Sequence, residues 1–594
     1  MKKASSTRPP QAPGTEVKAL ILGQRALFMQ ALRLSVVIGA LMLVPSWYMF
    51  EVYGRVLNSR NVMTLVWLSV AAVGVYVVLE LLEIARSRIL FRAAQSVDRQ
   101  LTPRVFDACF EANLRKQPGG TTQALSDVRA VCDFIPSPAV TGAMDVPASL
   151  LCLVLLYLMS PWLGLMAALG ALLQAGLGLV QERRTSPPYG EAMQASIEAQ
   201  NRATGTLRNA QVIESMGMEG AMYQRWMASQ RRFLQRLSQA SDQASVASAA
   251  AKMIQNMQGS LLLGLATWLM LGNNLLGGGG MVIVASILGG RVLAPLAQLV
   301  GQWRQIASVR SAYARVSALL THVPQREPGM ELPAPKGVLT VEAVYVSPPA
   351  SQAPVLKGVS FQVAPGEALM VIGPSAAGKS TLARVLIGVW PAQGGKVRLD
   401  GADVYAWHKS QLGPHIGYLP QGVELFDGTI AENIARFGKV DMALVRQAAD
   451  EVGITAMIEQ LPQGFETAIG DEGAVLSGGQ RQRIGLARAI YGQPRLVVLD
   501  EPNSSLDEAG DKALLDLMQR LKSRGTTLIA ITHRSSVLPA ADKLLLLTDG
   551  TVGAFGPRDD VLAAMKEANE KARGRTVQLP KPAFTAPAPR GGAA

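Results

Sequence analysis

Two carboxylates close an unbroken apolar run, RLVVLDE at 495–501, and a lysine closes a glycine-rich turn, GPSAAGKST at 373–381. Together they describe chemistry on phosphates. The turn, Gly373, Pro374, Ser375, Ala376, Ala377, Gly378, Lys379, Ser380 and Thr381, follows an apolar strand-like run and precedes a helical pattern. Glycines let backbone amides close around phosphate oxygens, Lys379 adds a point charge, Ser380 can ligate magnesium, and the helix N-terminus favours an anion. Alone, such a turn says only that a nucleoside triphosphate binds. Asp500 and Glu501 end a strand where a parallel sheet meets its ligand crevice. Asp500 is placed to hold magnesium through water, and Glu501 to orient or deprotonate an attacking water. A lone Asp-Glu pair could be a solvated strand end, but beside a phosphate-binding turn the catalytic reading is the better one.

His533 ends another β-like run, TTLIAITH from 526. An isolated histidine there is more often structural; with a third strand end converging on the same crevice, a contact to the γ-phosphate fits better. Gln421 follows a strand-like run between the two motifs and suits a residue that meets magnesium or water, although a solvated loop amide is the plain alternative. A second anion-binding device, LSGGQRQRIGLARAI at 476–490, lies about a hundred residues after the first. Ser477, Gly478 and Gly479 ahead of a helix offer amides and a hydroxyl to a phosphate.

The elements that carry these residues fall in two halves. Of 594 residues, 49% are hydrophobic and only 17% charged, which points to a lipid bilayer. The net charge of +13 is explained by basic segments beside anionic lipid and does not require nucleic acid. Cys109, Cys132 and Cys152 have neither the spacing of a zinc site nor the number for a disulfide framework. Residues 34–50, 61–79, 146–181 and 253–290 carry no charged side chain, against the roughly 20 residues that cross a bilayer as a helix. The last two are about twice that length and fold back, at Ser160-Pro161 and within GNNLLGGGG at 272–280, giving six spans. Basic residues before the first span and uncharged later turns put the N-terminus in the cytoplasm and those turns outside. Charge-rich segments at 84–145 and 182–252 read as helices running on into the cytoplasm. Glu83 and Arg86, three apart, read as a solvated ion pair just past the inner interface, with Glu80 a candidate for a polar conduit. The sequence thus predicts a flexible cytoplasmic tail (1–30), a transmembrane helical domain (31–320), a proline-rich linker (321–337), an α/β nucleotide domain (338–570) and a disordered tail (571–594).

The order GxxxxGKS, Gln421, LSGGQ, LVVLDE, SSLD and TH resembles the nucleotide-binding domain of ABC transporters through residues 338–570. That resemblance implies ATP and Mg²⁺ as cofactors, with Asp507 and Gln480 joining the site. It also implies that the LSGGQ turn faces the γ-phosphate held by a partner, so two copies close head to tail as a homodimer with two ATP sites. The fold expected is therefore a membrane α-helical bundle of six transmembrane helices, type I ABC exporter-like, followed by an α/β P-loop ATPase domain. VYGRVLNSRNVMTL at 52, VRLDGADVYAW at 397, GYLPQGVELFDGTIAENIARF at 417 and DEPNSSLD at 500 look like the ATPases of bacterial type I protein secretion, in the branch serving RTX-type proteases, lipases and haemophores. About thirty residues without cysteine precede the first span, so no papain-like domain is expected. The resemblance implies an inner-membrane, multi-pass ATPase with its nucleotide domain in the cytoplasm. Its cargo would be an unfolded secreted protein with an uncleaved C-terminal signal, passed to a periplasmic membrane fusion (adaptor) protein and an outer-membrane channel. A lipid or small-molecule exporter of the same domain order is the alternative, and a regulatory ABC protein a third. Three positions depart from the pattern. Pro348 stands near the adenine-stacking position, with Tyr345 three residues earlier. Ala376-Ala377 replaces a common Gly-Ser or Gly-Gly pair, and small side chains should be tolerated there. Gly54 takes a place, in what reads as the first external turn, where relatives commonly have Asp.

Overall fold

The computed structural model describes residues 15–272, 275, 278–325, 331–349, 351, 353–470 and 476–573. The first half of the N-terminal tail, most of the glycine-rich turn at 273–277, the centre of the linker and the C-terminal tail from 574 lie outside the described residues. The chain divides into two compact units, with the main boundary between Gln325 and Arg326.

In the first unit the charge-free stretches are helical. Helices α1 (Arg25–Leu41) and α2 (Val44–Glu51) make the first span, broken at Met42 and Leu43, and a π-helical turn at Val52–Val56 continues it. The chain reverses at Arg60, which takes left-handed φ of 52°. Gly54 therefore stands inside the helical end and not in the external turn, because the π-turn prolongs the helix; a side chain there would meet open space in this chain. Helix α3 (Val62–Leu114) has 53 residues, about 80 Å at 1.5 Å per residue, far more than the ~30 Å of a bilayer core. Its charged half is the extension read from the sequence. Helix α4 (Gln123–Phe134) leads to α5 (Val146–Met159), and α6 (Pro161–Arg208) follows at once. Ser160 is extended at φ −161° and Pro161 occupies the first turn of α6, so the fold-back falls where the Ser-Pro pair puts it. Helices α7 (Glu219–Leu271), α8 (Gly278–Gly301) and α9 (Trp303–His322) complete the unit. Among the described residues five helices are long and apolar enough to cross a membrane. The sixth long helix, α7, carries Gln255, Asn256 and Gln258 in its otherwise apolar end. There Leu262, Ala266 and Leu269 pack with Leu156 of α5 and Ala285 and Leu288 of α8.

Arg86 corrects the sequence reading. It is 4% exposed, pairs with Glu83 at 2.6 Å and with Asp145, and donates to Ser35 Oγ at 2.9 Å. What the spacing suggested as a solvated pair is a buried junction of α1, α3 and the residue before α5. Helical periodicity shows only the local partner; Ser35 and Asp145 close the cluster from distant sequence. Glu80 is exposed. A second charge lies deeper than its sequence position suggested: α8 runs on to Gly301, which puts Arg291 in mid-helix, where it donates to the Met42 carbonyl at the break between α1 and α2.

The second unit holds two sheets. Strands β1 (Leu339–Val346), β2 (Leu356–Val363), β4 (Gly394–Leu399) and β5 (Ala402–Asp403) form an antiparallel sheet in the order β2-β1-β4-β5. The larger sheet combines β3 (Ala368–Ile372), β6 (Ile416–Leu419), β7 (Leu496–Asp500), β8 (Thr527–Ile531), β9 (Lys543–Thr548) and β10 (Thr551–Pro557), in the order β10-β9-β3-β8-β7-β6. All its pairings are parallel except that of the edge strand β10. Every residue of β7 and β8 is buried, as expected of parallel strands covered on both faces. Val497, Leu499, Leu528 and Ala530 point into one core, and Leu496, Val498, Ile529 and Ile531 into the other. The adjacent strands β3, β8, β7 and β6 end on one edge of the sheet. Each ends at or just before a residue singled out from the sequence: Gly373, His533, Asp500 and Gln421.

Candidate active site

The turn after β3 is built for an anion. Gly373 has φ 154° and a side chain there would lie 2.1 Å from the Leu547 carbonyl oxygen; Gly378 has φ 99° and precedes helix α10 (Lys379–Leu386). Ala376 is also left-handed, at φ 66°. For a residue with a Cβ that conformation costs about 1 kcal/mol, so alanine fits the space but holds the loop under strain. Pro374, Ser375 and Ala376 form the exposed rim, while Ala377, Gly378 and Lys379 are buried. Lys379 donates from Nζ to the carbonyls of Gly373 at 2.9 Å and Pro374 at 2.8 Å. Burial pushes its pKa down, against the opposing pull of Glu501 and Asp500. Ser380 and Thr381 begin α10 behind it.

Asp500, at the end of β7, is 2% exposed. Burial pushes its carboxyl up and the Ser380 hydroxyl, hydrogen-bonded to it, pulls it down; Glu501 pushes it up again. Its Oδ1 is buried without a hydrogen-bond partner. A buried carboxylate oxygen left open beside a serine hydroxyl is the donor set of a hard cation, so Asp500 and Ser380 fit magnesium. Glu501 takes left-handed φ of 52°. Its side chain lies between two candidates from neighbouring strands: Gln421 donates from Nε2 to Glu501 Oε2 at 3.0 Å, and His533 Nε2 stands 3.3 Å from Glu501 Oε1. The four strand ends thus converge as the sequence suggested, with the carboxylate that would handle water at the centre.

The other device is a pre-folded helix start. Ser477 caps helix α11 (Gly478–Ile490) by accepting from the Gln480 amide, and Gln480 Oε1 accepts from the Ser477 amide at 2.8 Å, a reciprocal capping box. Gln480 thus shapes this turn through its side chain. Gly478 presents an open face in this chain, since a side chain there would meet nothing within 4 Å. Asp507 caps helix α12 (Glu508–Ser523) through the Gly510 amide and pairs with Arg483 of α11 at 3.1 Å. Tyr345 stands on β1 with its ring near Gly358 and Gly394, and Pro348 is half-buried beyond it.

Sequence reasoning missed Gln482. It is 4% exposed and joins α11 to the segment after Asp500 by three hydrogen bonds. The available signal was a polar residue on the inward stripe of α11 with Leu486, Ala489 and Ile490. Arg384 was also missed: it acts on Asp500, hydrogen-bonds Tyr418, and stacks 4.8 Å over Trp390.

The ABC transporter family profile matches residues 356–504, and the ABC transporter transmembrane region profile matches residues 28–289. The chain is 38% identical over 541 residues to the type I secretion system ATP-binding protein PrsD of Rhizobium meliloti (strain 1021), covering 91% of this chain and 92% of that protein. It is 25% identical to the leukotoxin translocation ATP-binding protein LktB of Mannheimia haemolytica, over 91% of this chain and 77% of LktB. A solved bacterial Atm1-family ABC exporter with ATP bound shares the fold, with a TM-score of 0.79 and 22% identity, covering 93% of this chain and 99% of that one.

Proposed function

This chain belongs to the ABC transporters, in the branch of type I secretion ATP-binding proteins, and from that membership we propose how its residues work. It is a multi-pass membrane protein and an ATP-driven protein exporter, in which ATP hydrolysis is coupled to transport. In our reading backbone amides within 375–381 and the Lys379 side chain hold the ATP phosphates, with Gly373 and Pro374 shaping the turn. Ser380, Asp500 and Gln421 would hold magnesium, which would supply positive charge beside the phosphates. Glu501 accepts a hydrogen bond or proton from the attacking water, and His533 both steadies Glu501 and reaches the γ-phosphate. The observation that best supports these roles is Glu501 itself, held by Gln421 and His533 beside a buried, open Asp500 oxygen.

Two copies form a homodimer in which the Ser477–Gln480 turn of one faces the nucleotide of the other. The dimer sits in the bacterial inner membrane with its nucleotide units in the cytoplasm. It passes an unfolded protein with an uncleaved C-terminal signal to a periplasmic adaptor and an outer-membrane channel. The names of its relatives support this reading: PrsD is a type I secretion system protein and LktB a leukotoxin translocation protein. The test compares proteins in the culture medium of the native bacterium carrying the wild-type chain or Glu501→Gln at equal expression. We expect one or a few large proteins, C-termini intact, to disappear from the medium. ATP turnover by the purified variant should fall about 100-fold or more with ATP still bound. Normal turnover by Glu501→Gln would remove it from the base role. An unchanged medium with an altered envelope or small-molecule profile would support the alternative, a lipid or small-molecule exporter.

A further inference from the structure

Glu501 is held at both ends of its peptide. Its amide donates to the Ile531 carbonyl at 2.9 Å, and its own carbonyl accepts from the Ser504 amide at 3.2 Å and from Gln482 Nε2 at 3.1 Å. A non-glycine residue at φ 52° persists only where its surroundings over-determine it. Gln482 supplies part of that constraint from another element. Its Nε2 also reaches Ser504 Oγ at 3.3 Å, and its Oε1 accepts from the Ser505 amide at 2.9 Å. The neighbouring contacts have the same sense: a side chain on Gly479 would come within 3.0 Å of the Ser505 carbonyl oxygen, and Arg483 pairs with Asp507. The first turns of α11 and residues 501–507 are therefore joined by hydrogen bonds, an ion pair and a close backbone approach.

We propose that Gln482 is a positioning residue that ties the phosphate-facing turn at Ser477 to the Glu501 of the same chain. Resting on the shared-site reading above, this makes each chain's carboxylate answer to the nucleotide on its partner. When the partner's γ-phosphate draws in the amides of Gly478 and Gly479, the capped helix shifts as a unit. Gln482 carries that shift to the Glu501 carbonyl, and so to the side chain beside the chain's own ATP. The two sites of the dimer are then coupled in each chain through the buried Gln482 amide, the one of these contacts that reaches the Glu501 peptide itself. A change at Gln482 acts on turnover and leaves nucleotide binding nearly alone, since the amide touches neither the 373–381 turn nor the Ser477 cap.

Full-length dimers in nanodiscs test this. Gln482→Met keeps the length and removes both hydrogen-bonding functions; it should lower kcat about tenfold or more, with KM for ATP within about threefold. Gln482→Glu keeps the acceptor for Ser505 and loses the donor to Glu501, so it should fall with Met and not recover the rate. Thermal midpoints with Mg-ATP show whether either variant has lost its fold, and a variant that binds ATP normally is scored on rate alone. Coupling is read in mixed dimers with Lys379→Ala in one copy. The other copy keeps a chemically whole site while its own Ser477 turn faces no nucleotide. That site should run about fivefold or more below the wild-type rate per site, and adding Gln482→Met to the same copy should lower it no further. A wild-type kcat in Gln482→Met, or a wild-type rate at the whole site of the mixed dimer, overturns the proposal. Failure of the shared-site reading shows differently, as a Lys379→Ala mixed dimer whose intact copy is indifferent to Ser477→Arg in its partner.

Discussion

Asp500 shows at the scale of one residue what the site holds in reserve. Its carboxylate is buried, one oxygen has no partner, and Glu501 stands next to it. Burying a charge without full compensation is unfavourable, and sites built for a ligand accept that penalty until the ligand arrives. Asp500→Asn removes the charge and keeps the shape. The expected outcome is a ligand-free protein more stable by on the order of 1 kcal/mol, seen as a higher thermal midpoint. The advantage should reverse when Mg-ATP is added, because only the carboxylate gains a cation. A ligand-free midpoint below that of the wild type would mean that the aspartate's hydrogen bond with Ser380 outweighs its desolvation.

At the scale of elements, the buried cluster around Arg86 joins three stretches of chain through Glu83, Asp145 and Ser35. Arg86→Met leaves two carboxylates facing each other without a cation. Breaking a buried pair this way destabilises by about 3 kcal/mol, so the thermal midpoint in detergent should fall by several degrees. Arg86→Lys should recover only part of it, since an ammonium cannot reproduce the fork of a guanidinium. An unchanged midpoint in Arg86→Met would show that the junction is held by the packing of α1, α3 and α5. What was legible in the sequence follows the same division between local and distant. Ser160-Pro161, the apolar strand 496–499 and the glycine-rich turn at 373–381 are local signals, and each formed the element it announced; the described residues of the charge-free stretches are mostly helical. That the strand ends before Gln421, Asp500 and His533 come to one edge was legible, because each residue follows a strand-like run; the order of the strands in the sheet was not. The partners of Arg86, the reach of α8 past Arg291 and the clamp at Gln482 were not, because each joins residues far apart in sequence or lies outside a run defined by its lack of charge. Gly54 was misplaced because the charge-free run 34–50 ends before it, which put it in the turn, whereas the π-turn at 52–56 carries the helix past it.

For the molecule as a whole, the two turns proposed to bind phosphate pose a question: the 373–381 turn and the Ser477 turn are each folded within one chain, and in the proposed reading each would offer donors to one side of an anion. A homodimer resolves it if the turns meet across the two copies, and mixed dimers separate that arrangement from its rival. In a dimer of one Ser477→Arg copy and one Lys379→Ala copy, the shared arrangement concentrates both defects in one site. The other site combines an intact 373–381 turn with an intact Ser477 turn. If each chain instead served its own nucleotide, each site would carry one defect and neither would be whole. The expected outcome is tight retention of about one nucleotide per mixed dimer, against two for the wild type and none for either variant paired with itself. Counting trapped nucleotide decides this even if coupling between the sites slows turnover, because occupancy of the whole site needs only its two turns. Equal, partial retention at both sites would place the two devices within one chain's own site and leave the homodimer without a role in binding ATP.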